Sequence, residues 1–149
     1  MRSTATPLSL TFHRAFDVIN LSESTVEDAL QHILDIGCDR LLTSGMAHKA
    51  FTEEGMKCLK KLTQYAKVVA PGFIVIAASG INAENCAQLL AATGVHGVHA
   101  GGSVTDGIST PDMTPAENGV VSDFNTRQVV STTRVQELVL SCTSISDVI

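Results

Sequence analysis

Four short runs of apolar residues punctuate the chain: Leu8–Phe12, Arg40–Ser44, Phe73–Ala78 and Gly97–Ala100. Each has the length and apolar character of a β-strand, and "FIVIAASG" is nearly continuous apolar, as a strand buried on both faces would be. Between them the apolar spacing changes to that of helices. The first helix is expected from Ser24, whose spacing to Glu27 forms a capping box, with Val26, Ala29, Leu30, Ile33 and Leu34 on one side and Gly37 as the stop. A second runs from about Thr52 to Lys67, with Met56, Leu59 and Leu62 opposite Lys57, Lys60 and Lys61, and ends before Pro71-Gly72. A third takes Asn82 as its N-cap, carries Cys86, Leu89 and Leu90, and stops at Gly94. Strands that alternate with helices predict an α/β fold with a parallel sheet and covering helices.

The rhythm breaks after the fourth strand. Residues from about 103 to 130 are rich in Thr, Pro, Asp, Asn and Gly and predict a long irregular loop. A last helix is expected from Thr133 to about Cys142, with Val135, Leu138 and Val139 as its apolar stripe. A chain of 149 residues, 44% of them apolar, has enough apolar side chains for one core, so residues 1–149 are expected to form a single domain. Its net charge of −5, without a basic block, and its 4% aromatic content argue against nucleic-acid binding. No apolar run reaches the length of a signal peptide or a membrane span, so a cytoplasmic protein without a membrane partner is expected. Cys38, Cys58, Cys86 and Cys142 are far apart and form no C-x-x-C motif, so they are expected to be reduced packing residues.

The candidate chemistry lies where the strands end. In parallel βα folds, binding and catalytic groups gather at the C-terminal ends of the strands. There the chain turns polar: "FHRAFD", "LTSG", "ASGIN" and "HAGGS". Alternation puts Thr11 and His13 on one face of the first strand, and Gly97 and His99 on one face of the fourth, so both histidines are expected to face one opening. A rim role for His13 and a local ion pair between Arg14 and Asp17 are the plainer alternatives. The glycines of "SGIN" (Ser79–Asn82) and "AGGS" (Ala100–Ser103) suit close approach to an anion, as phosphate-binding loops of (β/α)₈ barrels do.

The segments "TFHRAFD" (Thr11–Asp17), "GCDRLLTSG" (Gly37–Gly45), "GINAENCAQLL" (Gly80–Leu90) and "TGVHGVHAG" (Thr93–Gly101) together resemble the CutC copper homeostasis family. The resemblance implies a cytosolic TIM-barrel protein linked to copper handling, with these strands as the last four of a (β/α)₈ barrel, hence a partial barrel. It carries over His13, Arg14 and Asp17, then Thr43, Ser44 and Gly45, then Gly80 and Asn85, then His99. The family's copper-binding cysteines belong to the half without a counterpart here, so none of the four cysteines inherits that role. Two departures stand out: Gly97 occupies the place of a family Glu, and "MTPAEN" (Met113–Asn118) lacks the aromatic and the Arg of the family's last loop.

Two functional readings follow. In the first, the chain takes part in copper homeostasis, with copper bound weakly or not at all by this chain alone. In the second, it is an enzyme for a small phosphorylated or anionic substrate. There His13, Arg14, Asp17 and His99 would be catalytic, and Thr43, Ser44, Gly45, Gly80, Asn85, Gly102 and Ser103 would hold the ligand. A truncated half-barrel whose only activity is association is a third. Four parallel units cannot close a barrel, so a homodimer, or a separate N-terminal half-barrel, is the expected partner.

Overall fold

The structure, a computed structural model, describes residues 8–22, 24–109 and 126–143. Four strands, β1 (Thr11–Phe12), β2 (Arg40–Thr43), β3 (Ile74–Ala78) and β4 (Gly97–His99), pair in parallel in the order β1-β2-β3-β4. The register runs Phe12 to Leu41, Leu42 to Ile76, and Ala77 to Val98. Helices α1 (Val26–Ile36), α2 (Glu53–Val69) and α3 (Cys86–Thr93) form the crossovers. They bury Leu30, Ile33, Leu59, Leu62 and Leu89 against Leu41, Val75 and Ala77 of the sheet. The parallel α/β architecture is therefore as the alternating patterns predict, with strands slightly shorter than expected.

Three local expectations need correction. The capping box of α1 is formed by Thr25 and Asp28, one residue later than Ser24 and Glu27. The Asp28 N–H donates to the Thr25 hydroxyl at 3.2 Å, and the Asp28 carboxylate accepts the Thr25 N–H at 2.9 Å. Glu27 turns instead to Lys61 on α2, at 2.7 Å. Likewise α3 starts after Asn85, whose side chain makes no cap bond to it, whereas the Asn82 side chain accepts the Glu84 and Asn85 N–H groups of the preceding turn. The Asn82 cap therefore serves that turn, three residues before the helix proper. Finally, residues 103–130 are not irregular throughout. A 3-10 turn (Gly102–Val104) leads into β5 (Thr105–Ser109), which pairs antiparallel with β6 (Thr126–Val130). The Met113–Asn118 segment lies outside the described residues.

The last helix, α4 (Thr132–Thr143), packs on α3, with Leu138 and Cys142 against the core. Here the cysteine reading is overturned: Cys86 and Cys142 form a disulfide, with Cα atoms 6.0 Å apart. Fifty-six residues separate them in sequence, and only the return of α4 to the start of α3 brings them together. Cys38 and Cys58 are not part of a disulfide among the described residues.

Candidate functional site

The exits of β1, β3 and β4 line one cleft of about 440 Å³. His13 follows β1 in extended conformation (φ −89°, ψ 179°), so strand alternation continues through it and delivers its ring to the cleft. Arg14 lines the cleft beside it, and His99 enters from the end of β4. Gly80, Gly102 and Ser103 complete the sequence-expected residues found there, together with Leu42, Ala78, Ser79, Ile81 and Gly101. No Asp or Glu is among the lining residues.

The remaining candidates lie beneath the cleft. Asp17 sits in a 3-10 turn, Arg14–Val18, which breaks the two-residue period of the strand and carries its carboxylate under the neighbouring loop. Its side chain is only 6% exposed. It accepts the Ser44 N–H at 3.0 Å, the Met46 N–H at 3.1 Å, the Arg14 Nε–H at 2.9 Å and the Thr43 hydroxyl. Burial works to raise the Asp17 pKa, but the hydrogen bonds from Thr43, Ser44, Arg14 and Met46 outweigh it and hold the carboxyl below its ordinary value. Thr43 and Ser44 are fully buried in this network. Gly45 is left-handed (φ 72°) and presses on the Gly55 backbone, where a Cβ would collide. Asn85 donates to the Gly80 carbonyl at 2.8 Å and braces that loop from behind. These residues hold the rim of the cleft in place without lining it.

Arg14 joins the two layers. Its Nε is tied to Asp17 and one terminal nitrogen donates to the Ser44 hydroxyl at 3.2 Å, which fixes the guanidinium at the cleft wall. The loop after β3 is held as firmly. Ser79 adopts φ 80°, a costly conformation for a residue with a Cβ, and is anchored through its carbonyl to the Ala50 N–H and through its hydroxyl to the His48 carbonyl. The Ser103 hydroxyl, expected to meet a ligand, donates to the Ile81 carbonyl instead. Around Gly101 and Gly102 there is open space where a Cβ would stand, so their backbone is approachable from the cleft.

Sequence reasoning missed Leu42, and named Ser79 only as part of the glycine loop "SGIN". The first was legible: Leu41 faces the helices, so alternation turns Leu42 to the cleft. Nothing in the sequence marks the left-handed backbone of a serine.

Fold and cleft define the class: a parallel βα protein whose polar surface lies at the C-terminal ends of its strands. A family model described as the CutC family matches residues 1–104, and the chain belongs to that family. A CutC family protein of Vibrio cholerae serotype O1 is 39% identical over 99 residues, 66% of this chain and 35% of the relative. One from Bacteroides fragilis is 35% identical over 141 residues, 92% of this chain and 52% of the relative. The chain thus spans about half the length of such relatives, or less. A crystal structure of a candidate copper homeostasis protein, CutC, from Streptococcus agalactiae superposes with a TM-score of 0.53 at 30% identity, over 62% of this chain and 42% of that one. No described helix is long and apolar enough to cross a membrane.

Proposed function

We propose that this chain is one half of a CutC-type (β/α)₈ barrel, that it takes part in copper homeostasis in the cytoplasm, and that it acts through the cleft at its strand exits. The observation that carries this is the coincidence of the CutC match over residues 1–104 with a cleft built by His13, Arg14 and His99 from two of its strands. Deleting the gene in its own host is expected to change growth on raised copper, with rescue by the wild-type chain but not by His13→Ala. Unchanged growth at every copper concentration would overturn the assignment.

Copper itself fits these residues poorly. Cu(I) prefers thiolates, and burial, then the charge of Asp17, push the Cys58 thiol up to about 11 despite Lys61 nearby. Cys38 is buried, and Cys86 and Cys142 are bonded to each other. Among the described residues no three His, Cys, Asp or Glu side chains are grouped to hold a metal. In competition with a strong Cu(I) chelator, the chelator is expected to keep the metal. Stoichiometric retention by the chain that disappears on Cys38→Ser or Cys58→Ser would refute this.

One observation favours a small anion as the cleft's ligand. Arg14, whose Nε is paired with Asp17, and two imidazoles line it with no Asp or Glu among the lining residues, beside the bare backbone of Gly101 and Gly102. The enzymatic reading uses the same groups, with His13 as acid or base. Titration with inorganic phosphate, followed through the His13 and His99 ring resonances, is expected to shift both and to weaken in His99→Gln. Rings that stay still exclude an anion there.

A further inference from the structure

Among the described residues, helices cover one face of the sheet only. Helices cover Leu41, Val75 and Ala77, whereas Leu42, Ile74 and Ile76, one position out of phase, stand on the other face and outside that core. Among the described residues β1 pairs with β2 alone and β4 with β3 alone. Parallel pairing turns alternate residues' backbone groups to opposite sides. The Leu10 carbonyl accepts the Arg40 N–H at 3.2 Å, and the His96 N–H donates to the Val75 carbonyl at 2.9 Å. Thr11 on β1, with Gly97 and His99 on β4, therefore turn their backbone groups to the free edges.

Exposed apolar side chains also stand on the segments that adjoin β1 and follow β4 in sequence. Leu8, Leu10, Val18 and Ile19 flank β1, and Leu8 is 77% exposed. After β4 in sequence, β6 carries Val129 and Val130, and α4, which packs on α3 and the Gly102–Val104 turn, carries Val139 and Leu140, the last 69% exposed. A bare edge flanked by apolar side chains is a template for another strand.

We propose that two copies of this chain close on each other about a two-fold axis, β4 of each pairing in parallel with β1 of the other. Four strands cannot close a cylinder, whereas eight parallel strands can, with layered side chains filling the interior. The chain covers 52% of the Bacteroides relative, so two copies have about the length of one such protein. The arrangement is also closed: the β1–β4 contact recurs identically on the far side, leaving no edge to recruit a third copy. Ile74 and Ile76 become interior beside the already buried Leu42, and the apolar side chains that follow β4 meet those flanking β1. The cleft changes as well. His13, Arg14 and His99 of one copy face the same set of the other, so the site is completed by the partner. The proposal rests on the half-barrel reading and is independent of any role in copper.

Light scattering on the 149-residue chain at micromolar concentration is expected to give twice 15.7 kDa. Leu140→Asp places a charge in the proposed contact at a position the monomer leaves in water. Thr11→Pro removes only an N–H turned to the free edge. Both variants are expected to keep their circular dichroism and to weaken association by at least about tenfold. Val68→Asp, exposed on α2 away from both edges, is expected to leave the dimer intact. A monomeric wild type, or a dimer indifferent to both edge variants, overturns the proposal. If that monomer binds one equivalent of a separately produced N-terminal half of a full-length CutC protein, self-pairing fails and the half-barrel reading stands. If it ignores that half, both fail.

Discussion

Asp17→Asn tests the network under the cleft, because it removes a charge with almost no change of size. The carboxylate accepts from the Ser44 and Met46 N–H groups, the Ser44 and Thr43 hydroxyls, and Arg14. An amide keeps one acceptor oxygen and points an NH₂ at groups that are themselves donors. Not all of the loss counts. The Ser44 hydroxyl has the Ala47 carbonyl as a second acceptor at 2.6 Å. The Arg14 side chain is 38% exposed, so solvent screens its pair with Asp17 to about 0–1 kcal/mol. What remains is one or two buried backbone N–H groups without a charged acceptor, at about 1.5–3 kcal/mol each and less than additive. The expected loss is therefore about 2–4 kcal/mol, a large share of the roughly 5–15 kcal/mol by which domains are stable. For a chain of this size that corresponds to a melting point lower by roughly 4–16 °C.

The pH dependence gives the same prediction a sign. The folded chain holds the Asp17 carboxyl below its ordinary value. Its contribution is therefore fully present above the unfolded pKa of about 3.9 and fades as the pH falls through the lower folded value. Asp17→Asn lacks this contribution at every pH, so the stability gap should be widest near neutrality and shrink in acid. Urea unfolding followed by circular dichroism at several pH values measures the gap. A variant within about 0.5 kcal/mol of wild type at neutral pH, the range of an ordinary surface substitution, would refute the argument. A gap that fails to narrow in acid would do the same to its electrostatic part.

Two further outcomes are expected. Denatured without reductant, the chain should take up two alkyl groups, at Cys38 and Cys58, and four after reduction; mass spectrometry reads the difference, and four in both cases would show Cys86 and Cys142 unpaired. Gly45→Ala and Gly72→Ala both place a Cβ on a left-handed residue, at a cost of about 1–2 kcal/mol. Only Gly45 meets backbone there, that of Gly55, so it should lose about 1–3 kcal/mol more, and equal losses in urea melts would contradict the packing.

The sheet and its helices were legible because each βα unit announces itself locally. The apolar spacing of Val26 to Leu34 and the break at Gly37 need nothing from the rest of the chain. What was not legible depended on partners far away in sequence. Ser24 and Glu27 satisfy the capping-box spacing as well as Thr25 and Asp28 do, and Lys61, on another helix, decides between them by engaging Glu27. The Cys86–Cys142 pair is invisible until α4 returns to α3. The candidate site divides on similar grounds. His13 and His99 lie in or just past strands, where a two-residue period reports direction, and both line the cleft. Asp17 lies in a 3-10 turn, where that period no longer applies. Thr43 shares a face with Leu41, so alternation already placed it on the helix side.

The same division separates what this chain can stabilise alone from what it cannot. Its helix-facing core is made of neighbouring units: α1 on α2, α2 on α3, each against the strands it connects. Such contacts are complete with four strands as with eight. Among the described residues no helix covers the opposite face, and it carries the cleft. Charge there is governed by what stands across from it. In an open cleft, water would screen the attraction of Arg14 for an anion to about 1 kcal/mol at contact distance. At the effective dielectric of a protein surface the same pair reaches about 4 kcal/mol before desolvation is subtracted. The face of the sheet that makes the chain fold is therefore not the face that would set its affinity for an anion. Ligand binding to the cleft should rise with protein concentration if self-association closes the sheet, and stay constant if it does not.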